Sequence, residues 1–426
     1  MTPEAVHTLT LADAITLAAE TNPSVDAVEL RETIASIAAR RARLNRFDAR
    51  VETTAGLIGG AFAPWKSDPY TTSGASWGAH LTGSAPLYAG GAINASIERA
   101  DLDVQIASID TALTERDIVR ATFIAYWDLR GIDLRIGATE EGISVTEDAI
   151  KIMQVRADHQ LAATLDVNRS TVQLYAQQGD LLDFQQQRVG AEQDLLRLLH
   201  LDASHLELTE DPPLPVEGAI ALPADAGSER PEQVRLEHQA AQAATDVTLA
   251  KAGALPNIAL QARTGAGANA AGGGTGAPIP KAPLDPADLG PSFDLTAGLV
   301  ASWNPFDLGR TRDAVAQARV AQAVIEQQQQ SQSDAIDAEI RTAAGRVEHL
   351  RLQVPLASKQ VELARDNLSI VQDLYSQGSI GILELFDAQS SFRQARIAEA
   401  TLRVNLALAE TDLKWQLGQD LTGASR

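Results

Sequence analysis

Ala75-Ser76-Trp77-Gly78-Ala79-His80-Leu81-Thr82-Gly83-Ser84-Ala85-Pro86-Leu87 is the stretch that decides the fold. Ala75, Trp77, Ala79, Leu81, Gly83, Ala85 and Leu87 fall on one side, and Ser76, Gly78, His80, Thr82 and Ser84 fall on the other. A period of two marks a strand with one apolar and one polar face. Phe293, Leu295, Ala297, Leu299, Ala301 and Trp303 repeat the pattern far downstream. Val51, Thr53, Ala55 and Leu57, with Ile258, Leu260, Ala262 and Thr264, supply weaker partner strands. About ten residues of such alternation cross a bilayer when tilted. Taken alone, the pattern also suits a soluble hairpin packed on a helix.

Outward from the hairpins, the chain reads twice. Asn22-Pro23 corresponds to Arg230-Pro231, the strand at Val51 to that at Leu260, and Pro86-Leu87-Tyr88-Ala89-Gly90 to Pro305-Phe306-Asp307-Leu308-Gly309. Asp166-Val167 with Ser170 corresponds to Glu384-Leu385 with Ala388. The second copy is longer in the Gly/Pro-rich stretch 265–291, and Pro212-Pro213-Leu214-Pro215 opens a linker. The expected division is a first repeat over 1–201 (hairpin about 49–88, tip about 157–165), a linker at the equatorial region over 202–229, and a second repeat over 230–426 (hairpin about 256–304, tip about 376–382).

Each hairpin is followed by a helical pattern with no convincing stop, from about Gly91 to Arg156 and from about Arg310 to Tyr375. About 65 residues at 1.5 Å each make a rod of about 100 Å. Leu102, Ile106, Ile109 and Leu113, and Val361, Ala364, Leu368, Val371 and Tyr375, have coiled-coil spacing, while Gly137 and Pro355 are expected to interrupt the rods and mark kinks. Shorter helices are expected at about 165–201, 383–417, 23–47 and 231–254. A returning piece and a leading piece together nearly match one rod in length.

Aromatics are only 4% of the chain, which suits helix-on-helix packing better than a thick core. The absence of cysteine removes disulfides, thiolate metal sites and cysteine nucleophiles. A formal charge of −21, from 35 basic against 56 acidic residues, argues against nucleic acid and fits a negative lumen or cationic cargo. Seven scattered histidines show no zinc-site spacing and there is no phosphate-binding fingerprint, so no catalytic residue, metal or cofactor is expected. No apolar run approaches the roughly 20 residues of a membrane helix. Met1-Thr2-Pro3-Glu4 does not look like a signal peptide, so the expectation is a leader already removed or else a cytosolic protein.

Four membrane strands cannot close a barrel, and an open edge in lipid leaves backbone groups unpaired at several kcal/mol each. Two chains would give eight strands and three would give twelve, and the physics admits both. The competing reading is a soluble coiled-coil scaffold or periplasmic adaptor, which has no use for two apolar strand faces.

Several stretches together resemble the TolC family of outer-membrane efflux proteins. They are Leu9-Thr10-Leu11-Ala12-Asp13-Ala14-Ile15 with Asn22-Pro23, the Pro86-Leu87-Tyr88 and Pro305-Phe306-Asp307 strand ends, and Tyr375-Ser376-Gln377-Gly378-Ser379-Ile380-Gly381-Ile382-Leu383-Glu384-Leu385-Phe386-Asp387-Ala388. The resemblance spans essentially the whole chain. It implies an α+β membrane protein, internally duplicated, with four transmembrane strands and long coiled-coil helices per protomer. The homotrimer would form a 12-stranded β-barrel in Gram-negative outer-membrane lipid, continued by a 12-helix α-barrel in the periplasm. It further implies the exit duct of a tripartite efflux pump or type I secretion system, docked to a periplasmic adaptor (membrane fusion) protein and an inner-membrane transporter. The duct would be passive and not an enzyme.

A passive duct selects where it is narrow, so candidate residues lie at the helix tips. Glu384 and Asp387 are three apart on one helical face and, pointed inward in three copies, would form two carboxylate rings that favour cations. Charge patterning alone equally suits ordinary solvated charges. By resemblance, Asp387 matches an acidic aperture position, Glu384 a second acid and Tyr375 a gate tyrosine. Ile380 stands where the best-known members carry a locking arginine, and Asp166 matches that arginine's partner, so this lock is expected to be missing or rebuilt. The docking tips would be His159, Gln160, Leu161 and Ala162, and Gly378, Ser379, Ile380 and Gly381, with Gln160 replacing a customary glycine. Trp65, Trp77, Phe293 and Trp303 suit interfacial girdles or single packed aromatics, and Gln327–Gln330 a solvated helix face.

Overall fold

The computed structural model describes residues 6–62, 70–158, 164–203, 205–215, 222, 227, 230–273 and 290–419. In chain order these form β1 (Val6–Leu9), α1 (Leu11–Thr21), α2 (Pro23–Leu44), β2 (Asp48–Phe62), β3 (Tyr70–Tyr88), α3 (Ala92–Asp158), α4 (Thr164–Leu199), β4 (His205–Leu208), α5 (Pro231–Ala252), β5 (Asn257–Gly273), β6 (Gly290–Ser302), α6 (Arg310–Ser376) and α7 (Ile382–Gln416). The duplication is evident in the lengths. α2 and α5 have 22 residues each, α3 and α6 have 67 each, and α4 and α7 have 36 and 35. Among the described residues, no helix is long and apolar enough to cross a membrane.

Two compact units emerge, one of Arg31–Ala107 and Leu236–Gln327, the other of Met1–Leu30, Ser108–Arg235 and Gln328–Arg426. The first unit holds the four-stranded antiparallel sheet, in the order β2-β3-β5-β6. β3 pairs with β5, so the two hairpins join into one sheet. The strands run 13 to 19 residues, longer than a tilted crossing needs. Among the described residues β2 and β6 are its edges. The register puts Val51, Leu81, Leu260 and Leu299 on one face with Phe293 and Leu295, and all six are exposed.

The second unit is helical around three apolar clusters. Leu9, Tyr126, Trp127, Leu195, Leu199, Leu206 and Leu208 form one, where β1 and β4 pair in parallel. Val347, Leu350, Val354, Leu406, Ala409 and Leu413 join α6 to α7. Ala149, Met153, Val361, Leu368, Tyr375, Leu385 and Phe392 join α3, α6 and α7 near the tip. At the other end the Trp415 ring lies under three guanidinium groups, those of Arg120, Arg230 and Arg116, at 4.5, 5.1 and 5.2 Å. Buried Arg230 also donates to Glu232, Glu339 and Gln416. Burial on its own would lift the Glu232 carboxyl, but the hydrogen bonds and charge of Arg230 hold it below its ordinary value.

Two expectations need correcting, and one element was not foreseen. The segment after residue 201 is not wholly a connector, because His205–Leu208 is β4; the buried Glu192 carboxylate accepts the Leu206 N–H and so fixes that strand. Neither Gly137 nor Pro355 interrupts its helix. The opening segment carries a helix of its own, α1, started by a capping box in which Thr10 Oγ1 accepts the Asp13 N–H and the Asp13 side chain accepts from Thr10 N–H.

Tyr126 offers a check on this unit. Burial raises its phenol to about 12, because the phenolate would lose its water. The raised folded-state value contributes stability that is complete below the unfolded tyrosine value near 10 and is lost as pH rises through about 12. In an ultraviolet titration, the phenol lost in Tyr126→Phe should be one that ionises about two units late. A difference between wild type and Tyr126→Phe centred near 10 would contradict this packing.

Candidate functional site

The α6–α7 turn is set by the backbone. Ser379 N–H donates to the Leu374 carbonyl and Gly378 N–H to the Tyr375 carbonyl, both at 2.9 Å, with Gly378 at φ +77°. This is a Schellman closure, and its left-handed residue favours glycine. Gly381 then enters α7 in extended conformation with no side-chain cap. A Cβ on Gly381 would lie 3.0 Å from Glu384 Oε2, so that carboxylate sits over the first turn of α7, where the helix dipole favours a negative charge.

Glu384 and Asp387 are exposed on α7, while Leu385 and Ala388 face the apolar cluster. Neither acid has a cationic partner among the described residues. The arrangement leaves both carboxylates exposed to water. Tyr375 lies elsewhere: it is 6% exposed and packed with Met153, Leu368, Leu385 and Phe392, and Ile380 is half-buried against the same cluster. A position that an arginine would make polar is here part of the apolar packing. Asp166 is half-buried in the first turn of α4, and its carbonyl accepts the Ser170 hydroxyl at 2.9 Å. Among the described residues the Asp166 carboxylate has no ion-pair partner. Gly378, Ser379 and Gly381 are exposed, whereas His159, Gln160, Leu161 and Ala162 lie outside the described residues.

Of the proposed girdle, Trp65 lies outside the described residues, and Trp77 is placed only by its strand. Phe293 stands exposed on the apolar face of β6 and Trp303 stands exposed just past its end, where Trp303 Nε1 donates to the Ala254 carbonyl at 3.1 Å. Among the described residues no group of three or more His, Asp or Glu is arranged to hold a metal ion.

A second feature escaped the sequence reading. α6 carries two apolar rows: Val347, Leu350, Val354, Val361 and Leu368 are buried, while Leu352, Leu356, Leu363 and Ile370 are exposed. α4 carries Val172, Tyr175, Leu182 and Val189, likewise exposed. The seven-residue steps from Leu356 to Ile370 and from Tyr175 to Val189 were available as a signal. Helices apolar on opposite sides are built to be covered on both.

Comparison with known proteins agrees with this construction. The profile of the family described as "Outer membrane efflux protein" matches residues 14–199 and 222–419. The chain is similar to a protein of Pseudomonas putida named "Pyoverdine export outer membrane protein OpmQ", with 23% identity over 328 residues, covering 75% of this chain and 67% of that protein. Among solved structures, the outer-membrane channel OprN superposes with a TM-score of 0.82 at 19% identity, over 97% of this chain and 90% of that one. VceC of Vibrio cholerae gives 0.77 at 17%, covering 96% of each chain. CusC gives 0.79 at 16%, covering 96% of this chain and 92% of the other. At such identities the structural likeness establishes the fold.

Proposed function

Since the chain belongs to the outer membrane efflux protein family, we propose that three copies close one duct, a 12-stranded barrel continued by a 12-helix tunnel, in the outer membrane of a Gram-negative bacterium. As an outer-membrane efflux channel the protein conducts substrates passively out of a tripartite pump. The supporting observation is the four-stranded sheet, whose apolar face is exposed and whose two edge strands have no outer partner among the described residues. In lipid those edges need further strands, and the exposed rows of α4 and α6 give the helical part matching surfaces for neighbouring copies.

In this reading Glu384 and Asp387 form the aperture, with Tyr375, Ile380 and Asp166 controlling its closure. Opening would have to move Tyr375 out of its apolar packing or carry the packed cluster as one body. The exposed Gly378, Ser379 and Gly381, with His159, Gln160 and Leu161 of the other tip, would meet a periplasmic adaptor that joins the duct to an inner-membrane transporter. Light scattering of the detergent-extracted protein, with detergent subtracted, should give three times the mass of one chain, and planar bilayers should then show discrete conductance steps. A monodisperse monomer that stays dissolved without detergent would sink the proposal.

A further inference from the structure

The barrel reading leaves the other face of the sheet without a role, and that face is unusually ordered in charge. Asp48, Arg50, Glu52, His80, Arg263 and Asp294 are all the acidic, basic and histidine residues of the four strands. The register places every one of them opposite the apolar face, within three successive rows. One row runs Glu52, His80, Gly265, Asp294 across all four strands, the next Arg50, Thr82, Arg263, Thr296, and the third begins at Asp48. Charges are strongly disfavoured on a lipid-facing surface, so in a closed barrel this face lines the lumen.

The first row is joined by a contact that skips a strand. His80 Nδ1 lies 3.3 Å from Asp294 Oδ1, although β5 runs between them. Gly265 makes this possible: a Cβ there would sit 2.1 Å from His80 Nδ1 and 2.7 Å from the Ala79 carbonyl, leaving no room for the ring. The other oxygen of Asp294 lies 3.7 Å from Arg263 Nε, Glu52 pairs opposite His80 on β2, and Arg50 is held by Asp48 at 2.7 Å. The imidazole thus faces acids from both flanking directions and the Arg263 guanidinium through Asp294.

We propose that this belt is a second selectivity filter, inside the barrel, and that His80 sets its charge. The inference rests on the trimeric barrel described above. Two guanidinium groups stand against three carboxylates, so each copy carries one excess negative charge when His80 is neutral and none when it is protonated. Three copies concentrate that difference on one ring around the lumen. Cations are favoured when His80 is neutral, and the preference fades when it is protonated.

The test is the reversal potential of single channels under a potassium chloride gradient, at about pH 8 and about pH 5.5. It would be run on the wild type, His80→Gln and Asp294→Asn, each first shown to have the wild-type mass in detergent. The wild-type cation-to-anion permeability ratio should fall about twofold on acidification at about 0.1 M salt. His80→Gln should hold the high-pH ratio at both values, and Asp294→Asn should start from a lowered ratio at high pH. Repeating the series in the Glu384→Ala, Asp387→Ala background removes the tip carboxylates and should leave the pH effect in place. A His80→Gln channel that keeps the wild-type pH dependence, or a wild type with none in either background, overturns the belt but leaves the channel standing. A wild-type trimer that passes no current overturns both.

Discussion

Leu363→Glu combined with Ile370→Glu should leave the chain helical but monomeric in detergent. The two side chains are 68% and 59% exposed in the single chain, so their replacement removes no contact within it, and glutamate is a good helix former. In a trimer both rows are covered. Burying a leucine or isoleucine side chain contributes about 1.5–3 kcal/mol, and a carboxylate in its place adds desolvation without a partner. Three copies multiply the loss, so light scattering should report one third of the wild-type protein mass and bilayer conductance should vanish, while the far-ultraviolet dichroism stays unchanged. Leu368→Glu is the control. That side chain is 5% exposed among Ala149, Val361 and Tyr375, and its replacement should unfold the tip instead of merely separating copies. A Leu363→Glu, Ile370→Glu protein that retains the wild-type mass would remove this row from the interface.

The second large effect concerns the tip carboxylates. Glu384→Ala with Asp387→Ala takes six negative charges from the aperture of the proposed trimer. At about 10 Å in water and about 0.1 M salt, six charges alter the balance between a monovalent cation and anion enough to cut their permeability ratio about twentyfold. The same substitution removes the carboxylate over the first turn of α7, a dipole interaction of about 0.3–1 kcal/mol. Glu384→Gln with Asp387→Asn therefore accompanies it, as nearly isosteric neutral replacements. Both pairs should lower the ratio equally; an unchanged ratio in both moves the constriction away from α7.

The sequence discloses elements whose signal is local and periodic. The alternation from Ala75 to Leu87 predicts β3, and the heptad spacing of Val361, Leu368 and Tyr375 predicts the buried row of α6. What stayed hidden depends on partners distant in the chain. β1 and β4 have four residues each and pair across nearly 200 residues, too little for a period to register. His80 and Asp294 meet only because β3 pairs with β5 of the other repeat, a choice no alternation encodes. Tyr375 carries two sequence readings at once, a seam residue and a gate, and its burial shows the first. The chain could display the outer row of α6 as apolar but not as exposed, since that requires knowing which of two apolar rows its own helices cover.

The equal length of α3 and α6, 67 residues each, makes the two helices a matched pair of rulers. Removing one heptad from α6 alone would shorten it by about 10 Å and leave α3 at full span, so the two helices would no longer match. Removing a heptad from both, with the same cut in α4 and α7, preserves the match and the heptad phase of every row. Reach in this architecture is therefore inherited in coupled steps of seven residues, and a change in one repeat calls for its echo in the other.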